Sequence, residues 1–221
     1  MSVLVRVVFI GPPGAGKGTQ ARFLEQAYGA RQVPTGEILR RAVRERAPLG
    51  QQAAQYLDRG ELVPDHIMVK LVGERLREPD CQSGFILDGF PRTIAQADSL
   101  DQMLKRMGLA LDSVVCIQAP DDVLIRRLSG RRTCKACGSL YHAVFNPPAR
   151  AEACDRCGGE IYQRADDREE MIRGRLRVYE SQTAPLKEYY RKRGLLREID
   201  GVGSVEEVRD RVFRALGAVA T

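Results

Sequence analysis

Three groups of residues in this sequence have the types and spacing for chemistry. The first is Gly11-Pro12-Pro13-Gly14-Ala15-Gly16-Lys17-Gly18-Thr19, set between the apolar run Val3–Ile10 and the helix-like stretch Gln20–Ala27. Glycines have no side chain to block a polyanion, so successive backbone N–H groups can converge on it. The helix start adds partial positive charge and Lys17 a full one. Strand, glycine-rich turn and helix in that order read as a phosphate cradle. Pro12 and Pro13 shape the loop by fixing φ. One position departs from the usual pattern: Gly18 stands where a Ser or Thr normally meets magnesium, and Thr19 follows one residue late. That argues against metal ligation through Thr19.

The second group is Cys134, Cys137, Cys154 and Cys157, two C-x2-C pairs in the span 131–166. Four thiolates complete a tetrahedral zinc sphere and leave no position for water, so the implied role is structural. Gly138 and Gly158-Gly159 follow the pairs and relieve crowding in such turns. A segment this short has little core of its own, so a metal staple suits it. Cys81 and Cys116 stand alone and read as small buried apolar residues.

The third group is Phe85-Ile-Leu-Asp88-Gly-Phe-Pro-Arg92-Thr93. A short strand delivers Asp88 to its carboxyl end, near the expected loop, where a carboxylate can hold magnesium directly or through water. Arg92 follows on a turn and can clamp a second phosphate. Further arginines at Arg127, Arg131, Arg164 and Arg175 carry forks suited to phosphate. Arg127 and Arg131, four apart, share a helix face if the helix reaches that far. Arg164 is expected just before a helix capped by Asp166 or Asp167, with Glu169 or Glu170 at the capping-box position. Gln96 offers one donor and one acceptor, which suits an adenine edge, although a buried helix-capping Gln has the same composition. His66 and His142 read as structural or surface residues.

These groups need a scaffold. Apolar runs at Val3–Ile10, Phe85–Leu87 and Val114–Ile117, with weaker ones at Arg31–Val33 and Leu195–Ile199, predict strands. Helical patterns at 19–28, 37–46, 66–77, 93–107, 121–128, 167–193 and 204–216 separate them. The alternation predicts a parallel sheet with crossover helices and a ligand site beyond the strands' carboxyl ends. Residues 34–63 and 131–166 interrupt the alternation and read as inserts able to move against the sheet.

Composition sets the outer limits. With 221 residues, 43% hydrophobic and 29% charged, the sequence reads as one globular domain with small inserts. No run of apolar residues is long enough for a membrane span, and the first strand begins without a leader-like segment. Lysine and arginine total 35 for a net charge of +6, and all but a handful are arginine. A basic chain with a cysteine ribbon could bind nucleic acid. The ribbon's few aromatics (Tyr141, Phe145, Tyr162), and arginines that flank rather than cover it, argue against that.

The chain resembles the adenylate kinase family. The resemblance is carried in order by the phosphate loop, Thr35-Gly36-Glu37-Ile-Leu-Arg40, Leu87-Asp-Gly-Phe-Pro-Arg-Thr93, Gln96-Ala-Asp98, Gly130-Arg131-Arg132, Tyr141-His142, Phe145-Asn-Pro-Pro148, Arg164-Ala-Asp-Asp167 and Thr183-Ala-Pro-Leu186-Lys-Glu-Tyr-Tyr190. The cysteine pairs are similar to those of long-form members whose lid holds zinc. The resemblance implies reversible transfer from MgATP to AMP, giving two ADP. It implies a P-loop three-layer α/β fold with a five-stranded parallel sheet, a small helical AMP-binding insert and a zinc-containing lid. The core would comprise 1–33, 64–130 and 167–221, the AMP segment 34–63 and the lid 131–166. Gly14, Ala15, Gly16, Lys17, Gly18, Thr19, Arg127, Leu140, Tyr141 and Gly203 would meet ATP. Thr35, Gly36, Arg40, Glu61, Leu62, Val63, Gly89, Phe90, Pro91, Arg92, Gln96, Arg164 and Arg175 would meet AMP. Lys17, Asp88, Arg92, Arg127, Arg131, Arg164 and Arg175 would act in transfer, with Mg2+ accompanying ATP and Zn2+ in the lid. A cytoplasmic monomer with no nucleic-acid or membrane partner is the expectation.

Overall fold

A computed structural model describes residues 5–59 and 61–217. Five parallel strands form the central sheet: β1 (Val5–Ile10), β2 (Arg31–Pro34), β3 (Gly84–Asp88), β4 (Ser113–Gln118) and, last in the chain, β8 (Leu196–Asp200). Their order is β2-β3-β1-β4-β8. All are parallel, as the alternation of apolar runs and helices predicts.

Alternation along the buried strands divides two cores. Val8 and Ile10 of β1, Phe85 and Leu87 of β3, and Val114 and Cys116 of β4 face one core. Val7, Phe9, Ile86, Val115 and Ile117 face the other. Strands covered on both faces must be apolar at every position, which is why they read as continuous runs. The first face is covered by α2 (Thr35–Arg44), α3 (Pro48–Asp58), α4 (Asp65–Leu76), α5 (Ile94–Arg106) and, later in the chain, α8 (Leu186–Arg191). The second carries α1 (Lys17–Tyr28), α6 (Asp121–Ser129), α7 (Glu169–Val178) and α9 (Val205–Gly217). The chain runs from β1 to β2 on one side and reaches β4 on the other. The loop after β1 therefore opens at the point where the strand order reverses, the usual crevice for a ligand in such sheets.

Between α6 and α7 a separate antiparallel sheet, ordered β6-β5-β7, is made by β5 (Arg131–Cys134), β6 (Leu140–His142) and β7 (Ile161–Tyr162). The helix expected over 167–193 is broken. A wide π-type turn at Tyr179–Thr183 separates α7 from α8, and Pro185, which has no N–H to donate, precedes α8. The expected cap also differs. Arg168, not an aspartate, is the N-cap of α7, and no side chain caps it. Asp167 is wholly buried and held by arginines instead. A buried ion pair takes a carboxylate that local sequence would assign to the helix end. Arg164 precedes the single turn Ala165–Asp167, as expected.

Candidate active site and metal centre

The loop after β1 is shaped by its backbone. Gly16 caps α1 with φ 96°, a left-handed conformation that side chains resist. Lys17 Nζ turns back and donates to the carbonyls of Gly11 and Pro12, each at 2.8 Å. Burial pulls the lysine down to about 8, with Asp88 opposing and Arg92 and Arg175 adding to the fall. Asp88, at the carboxyl end of β3, explains the unusual glycine at position 18. A Cβ built on Gly18 would lie 2.8 Å from Asp88 Oδ2. The side chain that other loops carry here would occupy the space of the carboxylate. Burial pushes the Asp88 carboxyl up, while Lys17 and Arg92 pull it down.

The arginines expected around phosphate come from different elements, and carboxylates lie among them. Arg131 grips buried Asp167 with two bonds, Nε to Oδ2 at 2.8 Å and Nη2 to Oδ1 at 2.5 Å. Arg175 Nη1 reaches the same Oδ1 at 3.2 Å and Asp166 Oδ2 at 3.0 Å. Arg164 Nε donates to Thr133 Oγ1 at 3.0 Å, and its Nη2 lies 3.6 Å from Glu37 Oε2. Glu37 also pairs with Arg40 and Arg44. Arg92 Nε donates to the Gly89 carbonyl at 2.8 Å. Its tip reaches solvent, but the surrounding protein and then the charges of Arg175 and Arg40 bring it down to about 10. Burial, then Arg40 and Arg131, bring Arg164 to about 10 as well. Burial lowers Arg175 too. Asp166 is pushed up by burial but held below its ordinary range by Arg175, Arg131, Arg40 and Arg164.

Lys17, Asp88, Arg92, Arg164 and Arg175 are thus brought into one electrostatic neighbourhood with Arg40 and Arg131. Arg127 is not. It donates to the Gly201 carbonyl at 3.0 Å, beyond β8, and burial lowers it with only Asp200 opposing. The helix that would align Arg127 with Arg131 ends at Ser129. Gly203 lies beyond β8 on that same side, with φ 123°. Leu140 and Tyr141 lie in β6 opposite Thr133 and Arg132.

A narrow cleft is lined by Gly36, Arg40, Glu61, Leu62, Val63, Gly89, Arg92, Gln96, Asp166 and Arg175, with Leu39, Leu57 and Met68 as its apolar wall. Thr35 is buried at its edge and donates to the Asp88 carbonyl at 2.9 Å. Phe90 and Pro91 are buried beneath it. Gln96 is engaged within the protein at both ends. Its oxygen accepts from Arg92 N at 2.8 Å, and its nitrogen donates to Asp65 Oδ1 at 2.7 Å. In this arrangement it fastens the Arg92 turn rather than presenting a free amide.

Sequence reasoning missed the carboxylates Glu37, Asp166 and Asp167, and the supports Thr133, Asp65 and Thr183, whose hydroxyl donates to the Arg92 carbonyl at 2.8 Å. The available signal was adjacency: Asp166 and Asp167 directly follow Arg164-Ala165.

The four cysteines converge, with every sulfur within 4.8 Å of the others. Cys134 and Cys157 sulfurs lie 3.6 Å apart, as do those of Cys137 and Cys154. Zinc–sulfur bonds of about 2.3 Å at tetrahedral angles put sulfurs about 3.8 Å apart, so the donor set fits zinc. The two pairs are built alike. Gly138 N donates to the Cys134 carbonyl at 3.1 Å and Gly158 N to that of Cys154 at 2.7 Å. Both glycines have φ near 70°, which lets the chain turn back under the sulfurs. All six cysteines are free thiols, and Cys81 and Cys116 are buried as expected.

A glycine-rich loop at the reversal point of a parallel sheet, with helices on both faces, defines the P-loop nucleotide-binding class. Residues 9–195 match the family described as adenylate kinase. The chain is 52% identical over 212 residues to an adenylate kinase of Carboxydothermus hydrogenoformans, covering 96% of this chain and 99% of that one. It is 50% identical over 204 residues to one from Archaeoglobus fulgidus, 92% and 94% of the two chains. It is 52% identical over 204 residues to one from Thermodesulfovibrio yellowstonii, 92% and 95% of the two chains. The chain belongs to the adenylate kinase family and is an enzyme that transfers phosphoryl groups between adenine nucleotides.

Proposed function

We propose that the protein catalyses MgATP + AMP to two ADP by in-line transfer under a closing lid. Gly14 to Thr19 hold the ATP phosphates on backbone N–H groups, and Lys17 exchanges its loop carbonyls for phosphate oxygens. Residues 34–63 form the AMP segment, with Thr35, Gly36, Arg40, Glu61 to Val63 and Gly89 to Arg92 around the monophosphate. Arg131, Arg164 and Arg175 surround the transferred group. Arg127, reaching from α6 to the Gly201 carbonyl, and Gly203, beyond β8, serve the nucleoside end of ATP, with Leu140 and Tyr141 of β6. Gln96 positions Arg92 and through it the acceptor.

The acceptor phosphate is already an anion, so no strong base is required. The task is to hold two polyanions together and stabilise charge on the equatorial oxygens. The feature that supports this reading is the convergence of Lys17, Arg92, Arg164 and Arg175, cations that burial first and then one another's charge make easier to deprotonate. Glu37, Asp166 and Asp167 balance that cluster before substrate arrives, and the nucleotide phosphates take over part of this balance.

Asp88, a carboxylate disfavoured by burial and facing the loop, suits the magnesium that ATP brings. Such an ion would neutralise charge on the phosphates when bound. Cys134, Cys137, Cys154 and Cys157 would hold zinc as a structural staple of the lid, residues 131–166. A reducing cytoplasm is the setting we infer, because these thiols must stay reduced to bind metal.

The test is a coupled assay offering ATP and magnesium with AMP, GMP, CMP and UMP in turn. AMP is expected to dominate, and equal use of another monophosphate would overturn the acceptor assignment. Paired fluorophores on the lid and core test closure: distances unchanged on nucleotide addition would reject it.

A further inference from the structure

The four sulfurs are not equivalent. Cys134 and Cys154 are buried, whereas Cys137 and Cys157 reach solvent. A buried thiolate without a donor is costly, and water cannot serve it. Cys134 Sγ has the N–H of Cys137 at 3.5 Å. Cys154 Sγ has the hydroxyl of Tyr141 at 3.3 Å.

The direction of that second bond follows from a third atom. Asp155 N donates to the Tyr141 oxygen at 2.9 Å. A phenol has one proton; with its oxygen accepting from Asp155, that proton is free for the sulfur. Asp155 follows Cys154 directly, so one hydroxyl ties the second cysteine turn at both its sulfur and its backbone. Ser139 Oγ lies 3.1 Å from Cys137 Sγ. A thiolate can only accept, so the serine donates once the sulfur is ionised. Ser139, just before β6, and Tyr141, within it, reach one sulfur of each pair.

We infer that the hydroxyls of Tyr141 and Ser139 are built-in hydrogen-bond donors to the Cys154 and Cys137 thiolates and set how tightly the centre holds its metal. The inference rests on the zinc reading above. Tyr141 is thereby a positioning residue of the metal centre, a role separate from any contact its backbone or ring makes with nucleotide. Outer partners of metal ligands commonly change affinity about 10- to 100-fold when removed.

The experiment is zinc competition on the full-length zinc-loaded enzyme with a chromogenic chelator. Wild type is compared with Tyr141→Phe and Ser139→Ala. Tyr141→Phe should weaken zinc binding about 10- to 100-fold, and Ser139→Ala less, since Cys137 is exposed. In cobalt-substituted protein, the thiolate-to-metal charge-transfer band should move to lower energy in Tyr141→Phe, because a sulfur without its donor is more electron-rich. Loosened packing alone would not shift that band in a set direction. Should Tyr141→Phe fail to fold, the weaker affinity and band shift of Ser139→Ala carry the test. Unchanged affinity and an unchanged band in both variants would overturn the inference while leaving the zinc site intact. Wild-type protein that binds no zinc through its thiols would overturn the zinc reading and this inference with it.

Discussion

The phosphate loop and the arginine cleft face each other but are made in opposite ways. The loop is one contiguous stretch whose shape is set by backbone conformation. The cleft draws single side chains from α2, the turn after β3, β5, the segment before α7, and α7 itself, each held by a carboxylate, a carbonyl or a hydroxyl. The difference teaches that pre-shaping for phosphate can come largely from the backbone of one stretch, tied by its own Lys17, whereas assembling like charges needs counter-charges beside them. Asp167, wholly buried between Arg131 and Arg175, is the clearest case.

The largest expected effect strikes both regions at once. Lys17→Ala and Arg92→Ala should each lower kcat/KM roughly a thousandfold, as loss of a group facing developing phosphate charge does. Losses under tenfold, read by the coupled assay, would show that neither region acts on the transferred group.

Next comes the counter-charge. Asp167→Ala leaves Arg131 and Arg175 without their shared partner. It should destabilise the protein by about 3 kcal/mol, read by denaturant unfolding, because breaking a buried pair strands a charge. A change near zero would mean that the cleft tolerates unbalanced arginines.

A pH profile then separates the two regions. Lys17 in the free enzyme sits near 8, below the ordinary lysine value, so its charge is lost as pH rises through that value. The apparent kcat/KM for ATP should fall above about pH 8, approaching tenfold per pH unit. The arginines, with values near 10, stay charged in this window. A profile flat to pH 9.5 would contradict the lowered titration of Lys17. By the same shift, the unfolded chain binds more protons than the native one between pH 8 and 10.5, so this lysine's contribution to stability rises with pH there.

The smallest effect probes the seam between the regions. Gly18→Ala puts a methyl group against Asp88 Oδ2 and should cost about 1 kcal/mol. The apparent magnesium requirement should rise as the carboxylate moves aside. An unchanged magnesium titration would detach Asp88 from the metal.

What the sequence made legible follows the same division. Strands buried on both faces, the loop and the cysteine pairs carry their physics in contiguous residues. So does Asp88 at the end of its strand. The break at Tyr179–Thr183 and the capping of α7 were not legible, because tertiary contacts decide them. Asp167 has the composition of a helix cap, and only the approach of Arg131, from another element, turns it into a buried counter-ion. Gln96 reads equally as an adenine-facing amide or a buried structural one, and only the approach of Asp65 and the Arg92 backbone decides for the second. Gly18 is an oddity in sequence that makes sense once Asp88 is placed, because its missing side chain leaves room for the carboxylate.

Phosphorus NMR on an ATP, AMP and magnesium mixture tests the assembled site most directly. The account predicts that ATP and AMP signals decline together while ADP grows by two for each ATP consumed, with no inorganic phosphate. Inorganic phosphate accumulating at the expense of ATP, with AMP untouched, would contradict it.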